Sequence, residues 1–329
     1  MCEPEKAQKA LLSYERFRFS LKVTRLMVLP PYKGSIFRGA FGGVFKRVVC
    51  ASPKADCTTC ILRRQCLYVA FFEPPPPASY PDAAKFSHAP PPYVLNPPLT
   101  NRQAFHPEEI LNFELVLIGR AIDALPYFVY TFMEVGRNGL GRERGKYELI
   151  GVDLLKEGKA TRIYDGRAQT LTAYSGEANT ISCPEDDRAT ALALHLVTPL
   201  RLKKKGDLVT RLTFPLFFER LAHRLTLLAA FYGSNNHLPD FSSLVAKAQE
   251  IQVARDDLHW YDWERYSGRQ KTAMKLGGLK GRISFSGELA RFMPYLRLGE
   301  QVNVGQGTSF GLGRYEIQQN GKTDGKKEG

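Results

Sequence analysis

The chain has 329 residues, 43% of them hydrophobic and 24% charged, the balance of a folded protein long enough for two buried cores. No apolar run reaches the roughly 20 residues of a membrane-spanning helix, and the N-terminal MCEPEKAQKALLSYERF lacks a signal-peptide core, so a cytoplasmic protein with no membrane partner is expected. Lysine and arginine exceed the acids by 13, which favours a polyanionic partner, nucleic acid first, over a small-molecule substrate.

Residues 16–24, RFRFSLKVT, alternate strictly, so Phe17, Phe19, Leu21 and Val23 form the buried face of a strand. After the turn LPPYKG, the stretch SIFRGAFGGVFKRVV places apolar residues at 36, 37, 40, 41, 44, 45 and 48. That is helical spacing, with Ser35 as the N-cap. Residues 32–47 also hold Lys33, Arg38, Lys46 and Arg47 and no acid.

The segment CASPKADCTTCILRRQC follows, with Cys50, Cys57, Cys60 and Cys66. The two-residue gap in CTTC lets two thiolates reach one ion, and the other two cysteines flank the pair closely. In a cytosolic chain this spacing favours a metal over disulfides. Structural zinc is the first choice and an iron–sulfur cluster the second. Four protein ligands leave no open position for chemistry, so the metal is structural. Cys2 and Cys183 stand apart as unpaired residues.

A proline-rich insertion, residues 73–98, reads as extended surface chain. FELVLIG is a strand, AIDALPYFVYTFMEV a helix, GRNGLGRERG a basic hairpin loop and KYELIGVDLL a strand. With one strand hidden among the prolines, the order is βαββαβ. The second half repeats it: ALALHLVTPLRL as strand, FPLFFERLAHRLTLLAAFYG and FSSLVAKAQEIQV as helices, DLHWYDWERYS and LKGRISFSGEL as strands, LARFMPYLRLG as a short helix and GLGRYEI as the last strand. The expected fold is therefore α+β, with tandem ferredoxin-like (RRM-like) domains at 14–170 and 188–318. A cysteine-rich metal-knuckle insertion, residues 50–66, interrupts the first domain, and residues 319–329 form a disordered tail.

Each half carries a glycine-rich loop before its last strand, at 136–145 and 305–313. The second, GQGTSFGLG, ends on Arg314 and has two readings: a plain hairpin loop, or a nest of backbone N–H groups for phosphate. It is not a dinucleotide loop, because no helix opens after it. Residues 265–282 hold six cations, Arg265, Arg269, Lys271, Lys275, Lys280 and Arg282, and no acid. Trp260, Trp263 and Tyr266 suit either base stacking or core packing.

Seven motifs in order carry a family resemblance: LPPYKGSIFRGAFG, the cysteine cluster, GLGRERGKYEL, HLVTPLRLK, WERYSGRQ, LGGLKG and GQGTSFGLGRY. The chain resembles the CRISPR repeat-RNA-processing endoribonucleases of the repeat-associated (RAMP) superfamily. The resemblance implies an enzyme that binds the repeat of a precursor RNA and cuts it once per repeat. The ribose 2′-hydroxyl would attack the adjacent phosphate, leaving a 2′,3′-cyclic phosphate and a 5′-hydroxyl, with no metal in the chemistry.

It further implies that Gly305, Gly307, Ser309, Gly311, Gly313 and Arg314 meet the RNA backbone. Phosphate contacts would come from Lys33, Arg38, Arg142, Arg144, Arg201, Lys203, Arg265, Arg269, Gln270, Lys275 and Lys280. The chain departs from the family pattern at the catalytic positions: its first histidine is His88, and Asn303 precedes the last loop. The candidates left for proton transfer and charge stabilisation are Tyr32, Lys46 and His259. A second reading is a non-catalytic RNA-binding subunit that joins other CRISPR effector subunits. A third, a zinc-bearing protein adaptor, sits poorly with the charge pattern.

Overall fold

The computed structural model describes residues 12–75, 89–172, 189–233, 240–262 and 277–318, and the backbone of 264–267 and 272–275. Two compact units emerge: Met1–Thr180 with Leu225–Leu238 and Ser309–Gly311, and Ile181–Arg224 with Pro239–Thr308 and Leu312–Gly329.

In chain order the first unit contains β1 (Tyr14–Val23), β2 (Met27–Val28), α1 (Gly34–Val49), α2 (Leu67–Phe72), β3 (Tyr93–Asn96), β4 (Ala104–Phe105), β5 (Ile110–Ile118), α3 (Leu125–Asn138), β6 (Tyr147–Lys156), β7 (Lys159–Asp165) and β8 (Thr170–Leu171). The alternation in β1 is realised as expected: Phe17, Phe19, Leu21 and Val23 are fully buried. This strand lies between β5 and β6 in an antiparallel sheet of order β3-β5-β1-β6-β7-β8, while β2 and β4 form a separate ribbon. Phe37, Phe41 and Phe45 recur every four residues along α1 and so form one buried stripe. Phe41 stacks on Phe128 at 4.9 Å and Phe132 at 5.4 Å of α3, which ties the two helices over one aromatic core.

Two expectations are corrected here. Helix α1 starts at Gly34 with Lys33 at the N-cap and no capping side chain, so Ser35 is inside the helix. The strand hidden among the prolines is β3, and all four of its residues are buried, so residues 93–96 are core rather than surface chain. The apolar tetrad YVLN outweighed its proline flanks. Strands β7 and β8 escaped notice because their side chains are mostly exposed and carry little apolar signal.

The second unit contains β9 (Ala191–Leu200), β10 (Lys203–Lys204), β11 (Asp207–Leu208), the start of α4 (Phe214–Tyr232), α5 (Ser242–Lys247), β12 (Gln252–Tyr261), β13 (Glu264–Ser267), β14 (Thr272–Lys275), β15 (Gly278–Ser286), α6 (Met293–Val302) and β16 (Tyr315–Gln318). Its antiparallel sheet has the order β12-β15-β9-β16. Numbering strands within each unit as β1, β3, β5, β6 and as β9, β12, β15, β16, the two sheets share one spatial order. Phe214 meets Phe285 at 5.2 Å and Phe292 at 5.0 Å, and Phe217 meets Tyr315 at 5.2 Å, so α4 covers this sheet with rings. The second helix expected across FSSLVAKAQEIQV shrinks to the six-residue α5 and a 3-10 turn, Ala248–Glu250, because Gln252 and Val253 join β12. Among the described residues no helix is long and apolar enough to cross a membrane.

Candidate RNA-processing site

The start of α1 and the tip of the last glycine loop meet inside the first unit, to which residues 309–311 belong. The Tyr32 hydroxyl donates to the Phe310 carbonyl at 2.8 Å. Gly34 lies against the same carbonyl, and a Cβ there would overlap the oxygen, so only glycine lets the helix begin this close. One turn further, the Arg38 guanidinium lies between the rings of Phe72, at 5.0 Å, and Phe310, at 5.4 Å. Burial pushes the Tyr32 phenol well above its usual range. At neutral pH it is a protonated donor holding a backbone carbonyl.

In the second unit the root of the loop is fixed by Asn303 and Arg224. Asn303 is fully buried at φ 58° and donates through Nδ2 to the Leu312 carbonyl at 3.1 Å. Arg224 forks onto the carbonyls of Val302, at 2.7 Å, and Asn303, at 2.9 Å. Backbone N–H groups of Gln306, Leu312 and Gly313 donate to Arg201, Gly307 and Pro199. Gly313, at φ 70°, has no room for a Cβ beside the Val304 carbonyl.

These contacts decide between the two readings of the glycines over most of the loop. Thr308, Ser309, Gly311 and Gly313 are buried, and their glycines serve close protein packing rather than phosphate. The exposed part is Gln306, with Gly305, Gly307 and Arg314 partly open. Arg314 also reaches Glu316 at 3.3 Å.

The expected cations separate into three groups. Lys33 is fully buried and donates to the carbonyls of Pro31 and Thr100, at 3.1 and 2.5 Å, so the expected phosphate contact from Lys33 is corrected. Arg201 is committed to the Gly277 carbonyl at 2.8 Å. In contrast, Lys203 sits on the exposed hairpin β10–β11, whose turn residues Lys205 and Gly206 both have positive φ. Arg142 and Arg144 are exposed in a loop closed by the Leu140–Gly145 bridge. Lys280 covers the Tyr261 ring at 5.2 Å and faces the exposed His259 across β12 and β15. Trp260 is partly buried and donates to Asp262 at 2.9 Å. Arg265 and Lys275 lie on the paired strands β13 and β14, their side chains outside the described residues. Arg269, Gln270, Lys271 and Trp263 also lie outside them, as does the Tyr266 side chain.

One row across the second sheet escaped the sequence reading. Asp257, Arg282, His195 and Glu316 are direct register partners on β12, β15, β9 and β16. Burial lowers the pKa of His195; Glu316 opposes this, and Arg282 and Lys280 add to it. The signal was present in ALALHLVT: Leu192, Leu194 and Leu196 point into the core, which puts His195 on the other face.

The three catalytic candidates are not brought together as a set. Tyr32 and Lys46 stand at opposite ends of α1, about 20 Å apart at the helical rise of ~1.5 Å per residue, too far to flank one phosphate. His259 belongs to the second unit. Lys46 instead stands by the cysteines, where the Cys57 thiol raises its pKa, and its ammonium lies 5.1 Å from the Tyr68 ring. All four cysteines are free, partly buried and line one pocket with Lys46 and Arg63. Among the described residues, however, no three His, Cys, Asp or Glu side chains converge closely enough to share an ion.

Residues 194–315 match the family described as CRISPR-associated endoribonuclease Cas6, and residues 12–175 match an N-terminal domain family, AF_1859_N. The chain is 27% identical over 313 residues to an uncharacterized protein of Archaeoglobus fulgidus, covering 91% of this chain and 99% of the relative. Its fold is similar to that of a Cas6 product complex, at TM-score 0.54 and 15% identity, over 93% of this chain and 99% of the other. It is also similar to a chain of a partial Cas6-RT-Cas1–Cas2 complex, at TM-score 0.56 and 14% identity, over 94% of this chain. There the match spans only 46% of the longer polypeptide, about half its length. Residues 194–315 thus match a Cas6 family model, and the fold of the chain is similar to that of Cas6 structures, in line with the resemblance that its motifs carry.

Proposed function

We propose that this chain binds the repeat of a precursor CRISPR RNA and cuts it by attack of the ribose 2′-hydroxyl on the adjacent phosphate. The observation that carries the reading is the Cas6 match over 194–315, a segment that includes the whole glycine-rich loop. The shared strand order of the two sheets supports tandem ferredoxin-like units, in which a four-stranded sheet and its loops meet RNA. The exposed cations Lys203, Arg142, Arg144 and Arg282 supply phosphate contacts. Tyr32 and Arg38 hold the loop tip against α1, a positioning role. Catalysis then rests on orienting the 2′-hydroxyl in line with the scissile bond and on cationic stabilisation of the phosphorane. Other CRISPR proteins are partners in this reading, as the Cas6-RT-Cas1–Cas2 assembly is for a protein of similar fold.

The test is incubation of the purified protein with its repeat RNA in EDTA. A single cut that leaves a 2′,3′-cyclic phosphate and a 5′-hydroxyl is the expected result. Two features favour the second reading, an RNA-binding subunit without activity. Helix α1 carries no histidine, and the Asn303 amide is spent on the Leu312 carbonyl. Tight binding with intact RNA would establish that reading and overturn the first.

A further inference from the structure

The cysteine cluster has no place in RNA cleavage as derived above, and its surroundings suggest a separate purpose. Cys50 is the C-cap residue of α1, and Cys66 is the N-cap residue of α2. Between them Asp56 organises a tight turn: its carboxylate accepts from the Thr58 N–H at 2.8 Å and the Thr58 hydroxyl at 2.7 Å, within the segment that carries Cys57 and Cys60. The Arg63 side chain donates to the Cys57 carbonyl at 2.8 Å. The four cysteines, Lys46 and Arg63 surround one pocket.

We propose that Cys50, Cys57, Cys60 and Cys66 bind one structural zinc ion, which clasps the end of α1 to the start of α2. Four thiolates around a divalent ion leave two negative charges, and Lys46 and Arg63 stand where those charges fall. The sulfurs surround the pocket without converging, so binding draws them inward by local adjustment of the 17-residue segment 50–66, anchored at both helix ends. The clasp braces the aromatic core, because α2 sets Phe71 at 5.7 Å from Phe45 and Phe72 at 6.0 Å from Phe41. This inference is independent of whether the chain cuts RNA.

The test uses the full chain, purified under reducing conditions without added chelator. Elemental analysis is expected to find about one zinc per chain, released when a mercurial modifies the thiols. Replacing zinc with Co²⁺ is expected to give intense visible bands of a tetrahedral site and near-ultraviolet sulfur-to-cobalt charge transfer. Cys60→Ser is expected to lose the metal, whereas Cys183→Ser keeps it. Should Cys60→Ser fail to fold, the cobalt spectrum of the unaltered chain still decides. Protein that holds no zinc, and gives no cobalt–thiolate bands after incubation with Co²⁺, overturns the proposal. So does a mass showing disulfides within 50–66, or the visible absorption of an iron–sulfur cluster.

Discussion

Replacing Tyr32 by phenylalanine separates a positioning role from a chemical one. The substitution keeps the ring and removes one 2.8 Å hydrogen bond to the Phe310 carbonyl, in a setting that Gly34 keeps tight. A neutral hydrogen bond contributes about 0.5–1.5 kcal/mol net, and stranding a buried carbonyl raises the cost to as much as about 3 kcal/mol. A loss of about 1–2 kcal/mol is expected, read as a lower urea midpoint with an unchanged m-value. Cleavage of repeat RNA should fall by no more than about tenfold, since ~1.4 kcal/mol of misplaced loop corresponds to one decade in rate. The pH–rate profile should keep its shape. Removal of a general acid or base would instead cost about 10²–10⁴-fold. A variant as stable as the parent but slowed at least a hundredfold would refute the positioning account and return Tyr32 to the chemistry.

Four further outcomes follow from the structure. Arg224→Lys keeps the charge but cannot span two carbonyls, so it should cost about 1.5–3 kcal/mol in urea unfolding and expose the 303–313 loop to limited proteolysis. Lys203→Gln should weaken RNA binding and flatten the log–log salt dependence by about 0.7, the slope of one single-strand phosphate contact. Lys33→Gln should leave that slope unchanged and lower stability instead, because Lys33 is buried against carbonyls. Finally, burial pushes the Tyr93 phenol up to about 12 and raises Tyr147 and Tyr315 as well. A raised folded pKa stabilises fully below the unfolded value near 10 and is lost as pH climbs through the folded one. Circular dichroism and tyrosinate absorbance between pH 8 and 12 should therefore show unfolding that accompanies ionisation, and exposed-like titration near 10 without unfolding would contradict the burial.

Periodicity made most of the architecture readable. The alternation in RFRFSLKV and the four-residue phenylalanine stripe of α1 fix which face is core, and both survive intact. Short or exposed elements left too little apolar pattern to see: β7 and β8 are mostly exposed, and α5 has six residues. The site was less legible because charge alone does not say where a side chain points. Lys33 and Lys203 look alike in sequence, yet one is buried against carbonyls and the other sits exposed on a short hairpin. The four glycines of the last loop pointed to close backbone approach, and approach occurs, though mainly by protein. The roles of Arg224 and Asn303 depend on contacts 78 and 9 residues away, which no local pattern encodes.

Strand β3 ends the first sheet as an edge only four residues long, bordered by Pro92 and Pro97, which have no amide hydrogen to offer. Gly311 presses against the Leu95 carbonyl and Pro97 from within the same unit. A foreign β-segment seeking a template there finds neither the length nor the donors for continuous pairing. The proline-rich stretch thus doubles as a guard against strand-by-strand self-association of a sheet rich in phenylalanine.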